Sequence, residues 1–150
     1  MRMNTRFTVA VHMMTLVALG KIKRGDKPIT SEHMARSVST SPVVVRRITA
    51  MLKKAGLVEV KAGVGGSSLK RAPKDITLLD IYNAVKLAED DTLFEVHSHP
   101  NLKCWVGAHI LDSLSPSLMD AQQAMEGSLA NHTLKDILLP IAEKNQIQIE

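Results

Sequence analysis

Residues 40–57, TSPVVVRRITAMLKKAGL, predict a short helix with two unlike faces. Ser41 suits the N-cap, and Pro42 suits the first helical position, where a missing N–H costs nothing. An inner stripe at helical spacing is apolar: Val45, Ile48 and Leu52. The opposite face is cationic or small: Val43, Arg46, Arg47, Ala50, Lys53 and Lys54. Both a solvated surface helix and a helix that enters the DNA major groove fit this pattern.

The flanking segments decide between these two alternatives. A second short helix, from residue 31 to residue 37 or 38 with Thr30 as its N-cap, precedes the stretch across a tight turn, which gives a helix-turn-helix pattern. After the stretch, residues 57–61 alternate as a strand, residues 62–66 supply turn glycines, and residues 67–72 return as a strand. The glycines do not form a phosphate-cradling loop, because no Lys-Ser or Lys-Thr ending and no helix follows them. This order predicts a winged helix-turn-helix.

Charge is divided unevenly along the 150-residue chain, whose net charge is +4. Residues 1–74 contain 15 Lys or Arg against 3 acidic residues, whereas residues 75–150 contain 4 against 12. A basic half joined to an acidic half predicts a module that binds a polyanion, either nucleic acid or a membrane surface. A membrane surface would require basic residues along a bulky amphipathic helix. They are split here between a short helix and a hairpin, so we expect double-stranded DNA as the partner.

The remaining composition limits the other classes. Aromatic residues make up only 3%, which disfavours a stacking platform for single strands. The single cysteine excludes an internal disulfide framework and suits a reducing cytoplasm, where we expect the protein to act. Residues 7–20 follow two arginines, as in a signal peptide, but polar residues interrupt the run and its apolar residues keep a helical rhythm, which predicts a core helix. No stretch is long enough to span a membrane.

The acidic half predicts further helices. Thr77 caps a helix over residues 78–88, residues 93–96 form a strand or a tether, and the chain turns helical again from Cys104. Ser115-Pro116 either kinks that helix or begins another, and Thr133 caps the last helix. An apolar stripe predicts a dimer interface: Leu118, Ala121, Met125 and Leu129. The predicted fold is mainly α with a small β-hairpin. Residues 1–76 form the winged helix-turn-helix domain, and residues 77–150 form a linker helix, a sensor loop and C-terminal dimerisation helices.

Three motifs in this order resemble the Rrf-two family of bacterial winged-helix transcriptional regulators (the IscR/NsrR/CymR type), and within it the YwnA-like subgroup. They are SPVVVRRITAMLKKAGLV, GVGGSSLKRAPKDITLLDIYNAV, and NLKCWVGAHI followed by LANHTLKDIL. The resemblance covers nearly the whole chain. It implies a homodimer whose long C-terminal helix crosses to the partner and whose N-terminal domain holds DNA.

In cluster-binding members of that family, three cysteines in the loop over residues 92–104 hold an iron–sulfur cluster, whereas this chain has only Cys104. Because a cluster is normally held by four ligands, mostly thiolates, we expect no cluster cofactor. Two roles remain open for Cys104: a small buried residue, or a redox sensor. His97, His99, Cys104 and His109 match no strong zinc spacing, so we predict no metal site. No orienting group or pocket accompanies Cys104, so we expect no enzyme.

The function that we predict is sequence-specific DNA binding by a homodimeric regulator, most simply a repressor, on a palindromic operator. A thiol-based repressor switched through Cys104, a metal-binding module and a protein-interaction module are the alternatives. The effector is not identifiable from the residues. The residues expected to contact DNA lie at the N-terminus, on the recognition helix and on the wing: Arg2, Arg6, Thr40, Ser41, Pro42, Val43, Arg46, Arg47, Ser67, Ser68 and Lys70.

Overall fold

The computed structural model describes residues 2–25, 27–63, 66–87 and 92–149. Within these ranges the fold is mainly α with one small hairpin, as predicted. In chain order its elements are α1 (Met3–Arg24), α2 (Ser31–Val38), α3 (Pro42–Lys54), β1 (Val58–Val60), β2 (Ser67–Leu69), a 3₁₀ turn (Pro73–Asp75), α4 (Leu78–Ala84), α5 (Ile110–Ala130) and α6 (Leu134–Lys144). None of the described helices is long and apolar enough to cross a membrane.

Side-chain caps begin four of the helices at the predicted residues. The Thr30 hydroxyl accepts from the His33 N–H at 3.1 Å, and the Ser41 hydroxyl accepts from the Val44 N–H at 3.3 Å. Thr77 and Thr133 each form a complete capping box with an aspartate three residues on. Each cap satisfies an N–H that has no partner within the helix, so these boundaries follow from local sequence.

The hairpin is antiparallel, with Val58 opposite Leu69 and Val60 opposite Ser67. The loop before α2 lies along its outer edge, because the Ser67 N–H donates to the Ile29 carbonyl at 3.3 Å. Gly66 has φ +124°, and a Cβ at this position would lie 2.8 Å from Cβ of Pro28. Only glycine allows the hairpin to approach that loop so closely.

The hydrophobic core draws on both halves of the chain. α1 packs against α2, α3, α4, α6 and β2. The buried apolar residues are Ala10, Met13, Met14, Val17, Leu19, Ile29, Met34, Ala35, Val45, Ile48, Leu52, Leu57, Val58, Ile76, Ile81, Tyr82, Val85, Leu134, Leu138 and Ala142. The domain boundary at residue 76 stays a prediction, and α6, beyond that boundary, fills the same core as α1.

Several element boundaries differ from those predicted. α1 runs from Met3 to Arg24, whereas the sequence predicts a first helix from residue 4 or 5 to residue 19 that Gly20 closes. Gly20 instead lies inside the helix and leaves room for Ile29, because a Cβ there would lie 2.5 Å from Cδ1 of Ile29. α4 ends at Ala84, before the predicted end at residue 88. Residue 88 itself lies outside the described residues. Residues 93–96 form no strand, so the tether alternative holds. α5 begins at Ile110, later than the predicted start at Cys104. It continues through Pro116, so the alternative in which Ser115-Pro116 begins a new helix is wrong.

Arg6 is wrongly predicted as a DNA contact. Its side chain is only 6% exposed, and its Nε donates to the Val85 carbonyl at 2.6 Å, which joins α1 to the end of α4. The guanidinium is therefore committed inside the protein. Nothing local in the sequence reveals this, since its acceptor lies 79 residues away along the chain.

We expect Arg6→Met to lower the free energy of unfolding by about 1–3 kcal/mol, because the buried Val85 carbonyl loses its charged donor. Arg2→Met is the matched control, since Arg2 is exposed and its removal changes the net charge equally; a change within about 0.5 kcal/mol is expected there. Urea unfolding followed by circular dichroism measures both. Equal stability of the two variants would contradict the structural role of Arg6.

Candidate nucleic-acid interface

The outer face of α3 is cationic from Arg46 to the end of the helix. Its inner stripe is buried, with Val45, Ile48 and Leu52 at most 2% exposed, which turns the opposite face to solvent. Val43 is 69% exposed. The other members of this outer face are exposed as predicted: Arg46, Arg47, Ala50, Lys53 and Lys54. At the N-terminal end Ser41 is exposed, whereas Thr40 and Pro42 are half-buried. This end therefore presents small side chains, and the following turns present charge.

An ion pair crosses from α2 to α3 on this face. Arg46 Nη2 lies 3.0 Å from Glu32 Oε1, and both side chains are 56% exposed. A hydrogen bond from its own backbone N–H, and then the Arg46 guanidinium, lower the pKa of Glu32. Because solvent screens the pair, it is weak and Arg46 can exchange the carboxylate for a phosphate. No local pattern in the sequence indicates this partner, although Glu32 is one of only three acids in the basic half.

The wing supplies a second set of polar groups. Lys61 and Lys70 are exposed, and Ser67 and Ser68 are half-buried on β2. Arg71 turns toward α4 instead, where its Nη1 lies 3.8 Å from Asp80 Oδ2. Arg2 is exposed at the start of α1. Of the predicted contact residues that the structure describes, Arg6 alone is buried.

A capped pair of short helices, the second with a buried back and a basic front, followed by a glycine-tipped hairpin, defines a winged helix-turn-helix protein. The Rrf2 profile, described as an iron-dependent transcriptional regulator, matches residues 3–140. The chain belongs to the Rrf2 family.

Relatives agree with this assignment. The chain is 44% identical over 135 residues to YwnA of Bacillus subtilis (strain 168), which is named as an HTH-type transcriptional regulator; the match covers 90% of this chain and 96% of YwnA. A crystal structure of a protein assigned as DNA-binding is 38% identical, with a TM-score of 0.67, and covers 89% of this chain and 98% of that one. IscR of T. potens is 25% identical, with a TM-score of 0.58, and covers 97% and 90%. The chain is accordingly an HTH-type transcriptional regulator and not an enzyme.

The family description implies iron, but the residues of the loop before α5 do not provide the ligands for it. Cys104 is the only cysteine of the chain, and a cluster requires about four ligands that are mostly thiolates. Within the described residues, no three His, Cys, Asp or Glu side chains are arranged to hold a metal ion. His97, His99 and His109 are exposed around the loop. The described residues of this loop therefore lack the ligand set that iron would need.

Cys104 itself is exposed, so the interpretation as a small buried residue is wrong. The backbone N–H groups of Gly107 and then Val106 point at the thiol sulfur and lower the pKa of Cys104. A Cβ on Gly107 would collide with the Asn101 carbonyl oxygen, so glycine is required for this turn. An exposed thiol with stabilised thiolate is chemically reactive.

The predicted dimer stripe on α5 is half-buried. Met125 and Leu129 pack against the core of their own chain, but neither is buried, so their place in a dimer interface stays a prediction. Leu118 lines a groove between α5 and the loop over residues 92–96. Exposed apolar side chains lie instead on residues 93–119: Leu93, Phe94, Val96, Leu102, Trp105, Val106, Leu114 and Met119. We call these eight residues the apolar surface.

We expect native Cys104 to react with iodoacetamide with a pH midpoint lower than that of the urea-unfolded protein. The reason is that the two N–H groups favour the thiolate only in the folded loop, so the thiolate is present at a lower pH there. Alkylation rates measured across pH 6–10 by mass spectrometry (roughly the range in which thiols titrate) would give both midpoints. Cys104→Ser supplies the blank. Equal midpoints would contradict the hydrogen-bonded geometry of the loop.

Proposed function

We propose that the protein is a homodimeric repressor that binds a palindromic operator in the cytoplasm without an iron–sulfur cluster. The observation that carries this proposal is the exposed cationic face of α3 beside a polar wing. In this arrangement Ser41 and Val43 lie on the floor of the DNA major groove, and Arg46 and Arg47 contact base edges or phosphates. Contacts to the DNA backbone come from Arg2, Ser67, Ser68 and Lys70. Thr40 and Pro42 position the first turn of α3.

Glu32 gives the recognition face a means of selectivity. On random DNA its carboxylate competes with phosphate for Arg46 and repels the backbone. On the operator a guanine edge can offer Arg46 a bidentate acceptor. The pair therefore lowers non-specific binding more than specific binding, which raises the ratio between them.

The apolar surface supports the homodimer. Its eight large side chains cluster within residues 93–119 on the loop and the N-terminal half of α5, and Trp105 is 84% exposed and Met119 62%. No residue of α5 is buried in the single chain, although the helix is 21 residues long. Phe94, Val96 and Met119 line one groove with Leu118. Exposed apolar groups that lie together mark interaction sites, and aromatic residues often anchor them. A two-fold dimer would also present two recognition helices to successive turns of a palindrome.

DNA binding is tested by fluorescence anisotropy on a duplex from upstream of the protein's own gene, against a random duplex of equal length. We expect a steep salt dependence and about 10³-fold or greater preference for the upstream DNA. Arg46→Ala should weaken operator binding, at a cost equivalent to about tenfold or more. Glu32→Gln should strengthen binding to the random duplex more than to the operator.

Lys135→Ala on α6 is the matched control for Arg46→Ala, because it removes one positive charge away from the proposed interface. Operator affinity that is unchanged by Arg46→Ala at equal salt would rule out α3 as the recognition helix. Absence of binding to either duplex at low salt would reject the DNA proposal.

The dimer is tested by charge insertion on the apolar surface. We expect Met119→Glu to shift the protein from dimer to monomer in sedimentation equilibrium, because an unpaired carboxylate would have to be desolvated in the interface. Ile22→Glu is the matched control, since Ile22 is 51% exposed on α1, outside the apolar surface. A Met119→Glu dimer as stable as the wild type would place the interface elsewhere.

A thiol-switched repressor is the second candidate, and the exposure of Cys104 together with its lowered pKa favours it. Oxidation to a sulfenic acid would place a polar group within the apolar surface, and oxidation to a disulfide would place a covalent bond there. The anisotropy experiment repeated after mild peroxide treatment tests this candidate. Operator affinity should change in the wild type and stay constant in Cys104→Ser. An equal response of both proteins would reject Cys104 as the sensor.

A further inference from the structure

A groove lies between α5 and the chain over residues 92–96. Its volume is about 750 Å³, a size that is usual for clefts that hold an occupant. Its apolar lining comes from Phe94, Val96, Leu118 and Met119. We call this site the α5 groove. The single chain leaves it open to solvent, since Phe94, Val96 and Met119 are all exposed.

Hydrogen bonds hold the two walls of the α5 groove in place. The Leu93 N–H donates to Gln122 Oε1 at 2.7 Å, and Gln122 Nε2 donates to the Tyr82 hydroxyl at 3.3 Å. The Thr92 hydroxyl donates to the Phe94 carbonyl at 2.9 Å. The groove is therefore formed before any occupant arrives, which lowers the entropic cost of binding.

Trp105 is the most exposed of the large apolar side chains in the described residues, at 84%. It does not line the α5 groove of its own chain. Turn hydrogen bonds order the loop around it: the Ala108 N–H donates to the Cys104 carbonyl at 2.9 Å, and the His109 N–H donates to the Val106 carbonyl at 3.0 Å. Because covering a tryptophan ring removes about 150–250 Å² of surface from water, Trp105 is the largest apolar group that this loop can offer to a partner.

The charges of the loop and of the α5 groove are opposite. Residues 97–109 contain Lys103 and three histidines but no acid. The groove is lined by Glu95 and Glu126 and by no basic residue. Glu126 lies 3.8 Å from Lys86, whereas Glu95 forms no ion pair within the described residues. The loop of a second copy therefore matches the groove in charge, which favours the correct orientation of the two chains.

A two-fold pair of α5 helices would bring the loop of one copy to the groove of the other. Leu111, Leu114 and Leu118 share one side of α5, at positions i, i+3 and i+7. If two antiparallel α5 helices cross near Leu111 and Leu114, the chain that precedes α5 in one copy lies opposite the middle of α5 in the other. Trp105 precedes α5, and the α5 groove lies along its middle. Two-fold symmetry would then form the same contact twice.

We propose that Trp105 of each protomer inserts into the α5 groove of the other, so that the partner copy completes each site. This inference rests on the homodimer proposed above. The apolar walls of the groove cover the indole ring. The indole N–H requires an acceptor once it is buried, and Gln123 and Glu95 in the lining of the groove provide one. Gln122 is not available for this role, because both ends of its amide already form hydrogen bonds.

Intrinsic fluorescence tests the insertion, because Trp105 is the only tryptophan of the chain. As the protein concentration rises through the dimer dissociation constant, the emission should shift to shorter wavelength and quenching by acrylamide should decrease. Trp105→Ala should raise the dissociation constant in sedimentation equilibrium by about 30-fold or more, as for the loss of an interface anchor. Leu139→Ala on α6 is the matched control, since Leu139 is a large exposed side chain outside the apolar surface; a change within about threefold is expected there.

A mixing experiment tests where the ring inserts. Met119→Glu keeps Trp105 but places a carboxylate in the α5 groove, whereas Trp105→Ala keeps the groove and contains no tryptophan. All tryptophan emission of the mixture therefore comes from Met119→Glu. Adding Trp105→Ala should shift this emission to shorter wavelength, because the heterodimer regains one intact contact. The double variant Trp105→Ala/Met119→Glu is the matched control and should produce no shift, since it offers neither group.

A shift with Trp105→Ala and none with the double variant supports the insertion. If the wild type is a dimer whose tryptophan remains as accessible to acrylamide as in the monomer, the inference is overturned and the groove is left to another occupant, such as a small apolar ligand. Short-wavelength emission already present in the monomer would place Trp105 in the groove of its own chain and would also overturn it. A wild type that stays monomeric at every concentration would overturn the proposed homodimer together with the insertion.

Discussion

The burial of one apolar stripe on α3 against α1 and its neighbours is the constraint on which the remaining structure depends. Val45, Ile48 and Leu52 can leave water only if the opposite face of α3 turns outward, so packing in the core orients the cationic face. Leu57 and Val58 are buried immediately afterwards, which anchors the base of the hairpin to the same core. The hairpin therefore stands beside α3 because of hydrophobic burial. Charge contributes little to that placement, since most basic side chains of the interface remain in solvent.

Packing of the core decides which charged side chains lie on the surface and which lie inside. The first 74 residues hold a large excess of basic residues, and packing distributes them between outer faces and interior. Arg6 is the exception, because it is committed to the Val85 carbonyl between α1 and α4. Glu32 is an acid on this basic face, and its carboxylate forms an ion pair with Arg46. A uniformly cationic surface would bind any duplex, so both the removal and the pairing of charge would matter to the sequence-specific binding that we propose.

The loop before α5 connects physically to the DNA-binding half. The Leu93 N–H donates to Gln122 Oε1 at 2.7 Å, and Gln122 Nε2 donates to the Tyr82 hydroxyl at 3.3 Å. Tyr82 in turn packs edge-on against Phe7 of α1, with ring centroids 5.7 Å apart. Lys86 pairs with Glu126 at 3.8 Å and adds a second link between the end of α4 and α5. A chemical change at the loop could alter the winged helix-turn-helix through these contacts only if the contacts differ between two states of the protein. Any coupling between two sites has this requirement.

The amino-acid sequence by itself determined the helix caps at Thr30, Ser41, Thr77 and Thr133, the two faces of α3 and the order of helix, helix and hairpin. These features depend on residues within one or two turns of each other, and short-range hydrogen bonds and periodicity express them directly. The tertiary structure alone decided the burial of Arg6 beside Val85 and the packing of Met125 and Leu129 against the core. Each of these pairs groups that lie far apart along the chain, and their approach depends on how all the elements pack together. No local pattern of residues encodes such a meeting, because the core that brings the groups together is built from both ends of the chain.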